Sequence, residues 1–186
     1  PESTDNGSVW DYMNGFSDGT SNITNSYAYA WKRAPGFFDA VAYTGTGVAR
    51  TVSHNLGVAP EMMWVKNRVG SYTGWPVYHK DIGATKYLEL HTTATETTSQ
   101  WMWNNTDPTD SVFSINAGAW VGINNYTYIA YLFATLAGVS KVGSYTGNGS
   151  SQTIDCGFSS GARFVLIKCS APANAGGDWY VWDTTR

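Results

Sequence analysis

Tyr43-Thr44-Gly45-Thr46-Gly47 returns 102 residues later as Tyr145-Thr146-Gly147-Asn148-Gly149. At the same spacing Thr51-Val52 falls on Thr153-Ile154, and Met62-Met63-Trp64-Val65-Lys66 falls on Phe164-Val165-Leu166-Ile167-Lys168. Running backwards, Ala28-Tyr29-Ala30-Trp31 falls on Ala130-Tyr131-Leu132-Phe133, and Gly36 on Gly138. With one residue of slippage Ser8-Val9-Trp10 meets Ser111-Val112-Phe113, Gly15 meets Gly118 and Gly19 meets Gly122. With two, Val77 meets Val181. Self-similarity on this scale decides what counts as a unit, so it is read first.

Two partitions fit. In one, a unit of about 102 residues runs through 36–136, a usual size for a small domain. Residues 1–35 are then the end of a preceding unit and 137–186 the start of a following one. In the other, 8–84 and 111–186 are halves of one pseudo-symmetric domain. The first partition is adopted, with the chain read as a piece of a longer repetitive polypeptide.

The pattern within the unit is strands punctuated by turns. Runs 37–43 and 139–145 are β-prone and end in the glycine-rich turn, with 50–53 and 152–155 expected as the returning strands of two hairpins. The continuous apolar runs 62–66 and 163–168 fit inner strands of a sandwich. Segments 75–79 and 179–183 alternate aromatic and small residues at period two. Segments 87–91 and 100–103 are further strand candidates. Run 126–133 has helical spacing at Ile129, Leu132 and Phe133, but its tyrosines and threonines favour a strand. The expectation is an all-β protein, a jelly-roll-like β-sandwich built from the repeat.

Composition narrows the functions. Charged residues are 13% and the net charge is −3, with Gly, Ser, Thr and Asn supplying the polar surface and aromatics reaching 15%. Such a balance suits a β-rich extracellular or virion protein. The 11 basic residues are scattered, which argues against nucleic acid as a partner, because phosphate contact needs clustered Lys and Arg. No apolar run approaches the roughly 20 residues that span a bilayer, so no membrane partner is expected. Cys156 and Cys169 fall on His54 and Asn67 in the repeat, so neither a bridge nor a metal ligand is kept between copies. Two unpaired buried thiols are expected.

No catalytic constellation assembles, and the chain is read as not an enzyme. His54 and His79 fall on Cys156 and Asp183, while His91 lies in the unrepeated stretch. Tyr-Thr-Gly-x-Gly is not a phosphate loop, since no Lys-Ser/Thr follows it. Asp5-Asn6-Gly7, Ser17-Asp18-Gly19-Thr20 and Thr106-Asp107-Pro108-Thr109-Asp110 are oxygen-rich loops of the kind that hold Ca²⁺. Turns need the same residues, so no cofactor is expected. The Asn-x-Ser/Thr triplets at Asn6, Asn22, Asn104, Asn125 and Asn148 are what a chain rich in Ser and Thr produces by chance.

The aromatics carry the binding expectation. Trp101 and Trp103, two apart on a strand, would share one face. Tyr72, Trp75 and Trp120 lie in or beside glycine-rich loops. Flat apolar rings beside Asn, Asp and Thr suit a sugar, whose C–H face is apolar and whose edge is polar. Tyr72, Trp75, Trp101, Trp103 and Trp120 are therefore the candidate ligand-binding residues, with core packing or a subunit interface as the competing explanation.

His54-Asn55-Leu56-Gly57-Val58-Ala59-Pro60, running into Met62-Met63-Trp64-Val65-Lys66, resembles a motif of phage tail-fibre and other receptor-binding proteins. Taken with Gly36-Phe37-Phe38-Asp39 and Tyr43-Thr44-Gly45-Thr46-Gly47, the chain resembles tandem-repeat regions of marine bacteriophage proteins across most of 27–186. In the second copy the His, Leu and Pro become Cys156, Phe158 and Ala162, which favours a structural device over a site. The resemblance implies a virion appendage and supplies no catalytic residue. The expected role is structural and adhesive, with surface glycans, virion proteins and other copies of the chain (as a homo-oligomer such as a trimer) as partners. The alternatives are an architectural decoration domain without ligand and a glycan depolymerase fragment.

Overall fold

The computed structural model describes residues 9–12, 15–17, 28–69, 72–170 and 177–184. The expected frayed segment 1–8 lies outside them, as do the loop residues Asp5–Gly7 and Asp18–Thr20. The chain divides into two compact units, Pro1–Trp31 and Lys32–Arg186. In the first, β1 (Val9–Tyr12) and β2 (Gly15–Ser17) pair antiparallel, and the rings of Tyr29 and Trp31 stack at 6.2 Å.

Among the described residues the second unit is all-β apart from one helical turn. Its strands are β3 (Phe38–Thr44), β4 (Arg50–Ser53), β5 (Met62–Asn67), β6 (Pro76–His79), β7 (Lys86–Glu89) and β8 (Thr97–Thr98). After α1 (Gln100–Trp103) come β9 (Val112–Ile115), β10 (Thr127–Phe133), β11 (Phe164–Lys168) and β12 (Trp179–Asp183). One antiparallel sheet has the order β3-β10-β5-β6-β7-β8; β4-β9 and β11-β12 are separate pairs. Run 126–133 is therefore a strand, and an interior one, since β10 pairs with β3 on one side and β5 on the other.

Alternation explains the packing. Tyr128, Ala130 and Leu132 of β10 and Met63 and Val65 of β5 turn to one face, where Val52, Phe113 and Ile115 of the β4-β9 pair close over them. Each apolar side chain so buried contributes about 1.5–3 kcal/mol. The opposite face of the large sheet holds Phe38, Trp64, Tyr131 and Phe133, with the Trp64 and Phe133 rings 4.6 Å apart. Polar bonds fasten the connection between β9 and β10 to the core. Tyr43 donates its hydroxyl to the Val121 carbonyl at 2.9 Å, and Tyr128 donates to the Ala119 carbonyl while accepting from the Ile123 amide.

That connection also explains the glycine-rich turn. A Cβ on Gly45 would sit 2.2 Å from the Ile123 carbonyl oxygen, and Gly47 takes a φ of +74° that other residues resist. The Gly45 and Gly47 amides donate to the Tyr126 and Gly122 carbonyls. The turn is thus drawn to the β9–β10 connection, and 50–53 does not return along β3 as a hairpin. It pairs with β9 instead, Val52 opposite Phe113.

The His-x-Leu-Gly-x-x-Pro segment is a corner. His54 Nδ1 accepts from the Leu56 amide and Nε2 donates to the Thr109 carbonyl, each at 3.2 Å; the Gly36 amide donates to the Leu56 carbonyl. Buried Asp39 ties the same corner, accepting from the Asn55 amide and from Arg33.

Other expectations are corrected. Segment 100–103 is helical, because Ser99 accepts from the Trp101 amide as an N-cap and Asn104 closes the turn in the left-handed region. Segments 139–145 and 152–155 are not strands; only Ser140 makes an isolated bridge, to Leu136. Cys156 and Cys169 are free thiols, half-buried where burial was expected.

Local geometry nevertheless recurs. The Ala34–Phe38 turn and the Leu136–Ser140 turn make the same three backbone bonds, with Gly36 and Gly138 at φ of 72° and 74°. The β5–β6 ladder, Met62 opposite His79 and Trp64 opposite Val77, reappears in β11–β12 as Phe164 opposite Asp183 and Leu166 opposite Val181.

Candidate binding surface

One end of the large sheet gathers aromatic side chains from three connections. Gly74, just before β6, lets the backbone lie on the Trp120 indole; a Cβ there would be 2.5 Å from the ring. Trp120 stands edge-on to Tyr87 at 5.9 Å and to His91 at 5.8 Å. His91 accepts from the Trp75 amide through Nδ1 at 3.2 Å, while the Glu89 carboxylate lies 3.7 Å from its Nε2. Tyr72 meets Tyr126 at 6.1 Å.

Lys66 holds Trp75 in place. Its ammonium lies 5.0 Å from the centre of the indole and donates to the Thr73 carbonyl at 2.8 Å. A cation over an indole face is attracted by the ring quadrupole. The same clamp recurs on the other hairpin, with Lys168 5.8 Å from the Trp179 ring and bonded to the Gly177 carbonyl. Burial pushes the Lys168 ammonium pKa down, against the pull of Asp178.

His91 also lines a cleft of about 470 Å³ between residues 90–93 and 178–180. Trp179 anchors one wall by donating its indole N–H to the Glu89 carbonyl at 2.8 Å. His91, Thr92, Thr93 and Asp178 give the cleft polar edges beside the Trp179 and Tyr180 rings. Flat apolar faces flanked by hydroxyl, imidazole and carboxylate groups can stack one side of a ring-shaped polyol and bond its rim.

Of the five predicted residues, Trp75 and Trp120 meet at His91, and Tyr72 packs against Tyr126. Trp101 and Trp103 do not share a face, because two residues along a helix turn through about 200° rather than repeating on one side. Trp101 is 55% exposed, its carbonyl accepting from Gly118 beside the Trp120 loop. Trp103 is fully buried and donates its indole N–H to the Lys86 carbonyl, which makes it a core residue. Sequence reasoning missed His91, Tyr126, Asp178 and Trp179. The recurrence of Lys66 and Trp75 as Lys168 and Trp179 was the available signal for the last of these.

The remaining polar candidates serve local structure. Asp107 accepts from the Ala84 amide and the Tyr78 hydroxyl, and Thr109 from the Ser111 and Val112 amides, so this loop behaves as a turn. Among the described residues no group of three or more His, Cys, Asp or Glu is placed to hold a metal ion. Burial lowers the pKa of His54 and of His79, the latter partly offset by Asp81. Among the described residues no helix is long and apolar enough to cross a membrane.

Fold and surface together define an all-β antiparallel domain with an aromatic cleft at one end of its main sheet. The chain belongs to the family described as Domain of unknown function (DUF7483), whose model matches residues 9–186. No curated protein and no solved structure matches the chain.

Proposed function

We propose that the chain is a structural and adhesive module of a phage fibre or related virion appendage, binding cell-surface glycans through the aromatic strip. The observation that carries this reading is the cleft lined by His91, Thr92, Thr93, Asp178, Trp179 and Tyr180, with the Trp75 amide bonded to His91 and the Trp120 ring standing edge-on to it. Aromatic faces supply apolar contact at low cost in side-chain entropy, and the polar edges supply orientation. A single shallow cleft of this kind binds weakly. Display of many copies along an appendage would raise the apparent affinity by avidity.

A glycan array probed with the multimerised chain tests the reading. Wild type is expected to bind a defined subset of glycans, with at least a tenfold loss in Tyr72→Ala, Trp75→Ala and Trp179→Ala. Trp101→Ala reports whether the neighbouring exposed ring extends the site. Wild type that binds no glycan sinks the proposal and leaves the architectural reading, a decoration module without ligand.

A further inference from the structure

The end of β7 and the residues after it bind both hairpins. On the β5–β6 side the Leu90 amide donates to the Trp75 carbonyl at 3.0 Å. On the β11–β12 side Trp179 donates to the Glu89 carbonyl, and the Glu96 amide donates to the Ser170 carbonyl at 3.2 Å. The cleft lies along this second seam, and the charges gathered there decide which sugars it admits.

The cations of the surrounding elements are already engaged. Lys66 lies against the Trp75 ring and donates to the Thr73 carbonyl; Lys168 lies against the Trp179 ring and donates to the Gly177 carbonyl. Lys86 is paired with Glu96, and Lys80 with Glu61 at 2.7 Å. Among the described residues no Lys or Arg lines the cleft. Residues 171–176, which join Ser170 to Gly177, are Ala, Pro, Ala, Asn, Ala and Gly, and carry no charge.

The imidazole adds no positive charge in this arrangement. His91 Nδ1 accepts from the Trp75 amide, so its one proton sits on Nε2, toward the Glu89 carboxylate at 3.7 Å, and the ring is neutral. Glu89 also accepts from the Thr92 hydroxyl at 3.2 Å, which fixes a negative charge behind the wall. Asp178 stands at the front, exposed and without an ion-pair partner among the described residues. Lys168 feels both carboxylates, yet its bonds go to Trp179 and Gly177. The potential in the cleft is therefore negative, and the Trp179 and Tyr180 rings beside it attract cations in their own right.

We infer that the cleft selects its sugars by charge, favouring amine-bearing glycans over neutral ones and neutral ones over acidic ones, with Asp178 as the selecting residue. This narrows the glycan reading above, on which it rests, to a ligand class. A protonated amine on the sugar rim donates a charge-assisted bond to the Asp178 carboxylate, while the apolar ring face keeps its aromatic contact. A carboxylate, sulfate or phosphate on the rim brings a second anion beside Asp178, with no lining Lys or Arg to receive it. The Thr93 hydroxyl, donor and acceptor alike, serves all three classes equally. A unit charge about 5 Å from a carboxylate in wet surroundings is worth about fivefold in affinity.

The test is a titration of the multimerised chain on glycans that differ in one substituent: a free amine, an acetamide or hydroxyl, or a carboxylate or sulfate. At low ionic strength wild type is expected to rank them in that order, in steps of about fivefold. The steps should shrink in about 1 M salt, where screening acts within about 3 Å. Asp178→Asn should move the two ends in opposite directions, weakening the amine-bearing members about fivefold and strengthening the acidic ones by a similar factor. Lost shape would weaken every class alike, as Tyr180→Ala should. Wild type that binds acidic members as tightly as amine-bearing ones overturns the charge selection and leaves the adhesive reading standing; so does a ranking that Asp178→Asn leaves unchanged. A chain that binds no glycan overturns both. If Asp178→Asn fails to fold, the salt dependence of the wild-type ranking decides it.

Discussion

Residues 38–79 and residues 140–183 start from closely matched sequence and reach different ends. In both, the turn before the first run closes, the later hairpin forms in one register, and lysine settles over tryptophan. Only in the first do the runs before that hairpin become strands. The features they share are held by contacts within one turn or one hairpin. Those that differ, β3 against β10 and β4 against β9, need partners far along the chain. Local contacts form wherever their residues are present, while long-range pairing must offset loop-closure entropy and requires the partner itself.

Matched substitutions in the two stretches test that contrast, because each should cost stability only where the sandwich is complete. The largest effect is expected from Tyr78→Ala, which empties a core position and should cost about 3–5 kcal/mol in denaturant unfolding. Trp182→Ala, with its ring exposed, should stay within about 0.5 kcal/mol for the dilute chain. Equal losses would mean that the second stretch has a core of its own. Gly45→Ala should cost about 1–3 kcal/mol, because the Ile123 carbonyl must move, while Gly147→Ala should be silent. Tyr43→Phe strands the Val121 carbonyl and should cost about 1 kcal/mol; Tyr145→Phe should cost nothing measurable.

The smallest effect concerns acid. His54 and His79 are held below their ordinary value of 6.5 chiefly by burial, so the folded chain binds these protons less readily than the unfolded chain. Their contribution is present above pH 6.5 and lost as pH falls through the folded values. Urea midpoints measured across that range should decline toward acid, and a His54→Gln, His79→Gln variant should show a flatter decline. An unchanged slope would assign the acid sensitivity to other groups.

Much of the framework was legible because it is written locally. Alternation and β-branched or aromatic content located β3, β5, β6, β10, β11 and β12 to within a residue or two. The partner of β4 was not legible, because the pull of the β9–β10 connection on Gly45 is a contact between distant segments. The helical turn at Gln100–Trp103 escaped because four residues are too few to show a period; only Ser99 and Asn104, as caps, announced it. Of the candidate surface, Tyr72, Trp75 and Trp120 were picked out by their glycine-rich surroundings. His91 and Asp178 were not, since a lone histidine or aspartate carries no signal until the fold brings rings beside it.

The two lysine–tryptophan clamps span unequal lengths of chain. Trp75 follows Lys66 by nine residues, and Trp179 follows Lys168 by eleven, yet both hairpins close in matching register. The clamp thus separates the framework from its tip, so residues between lysine and tryptophan can be added or exchanged without shifting the strands. Such a position gives evolution a place to vary what a module presents, and gives an engineer a graft site between two fixed anchors.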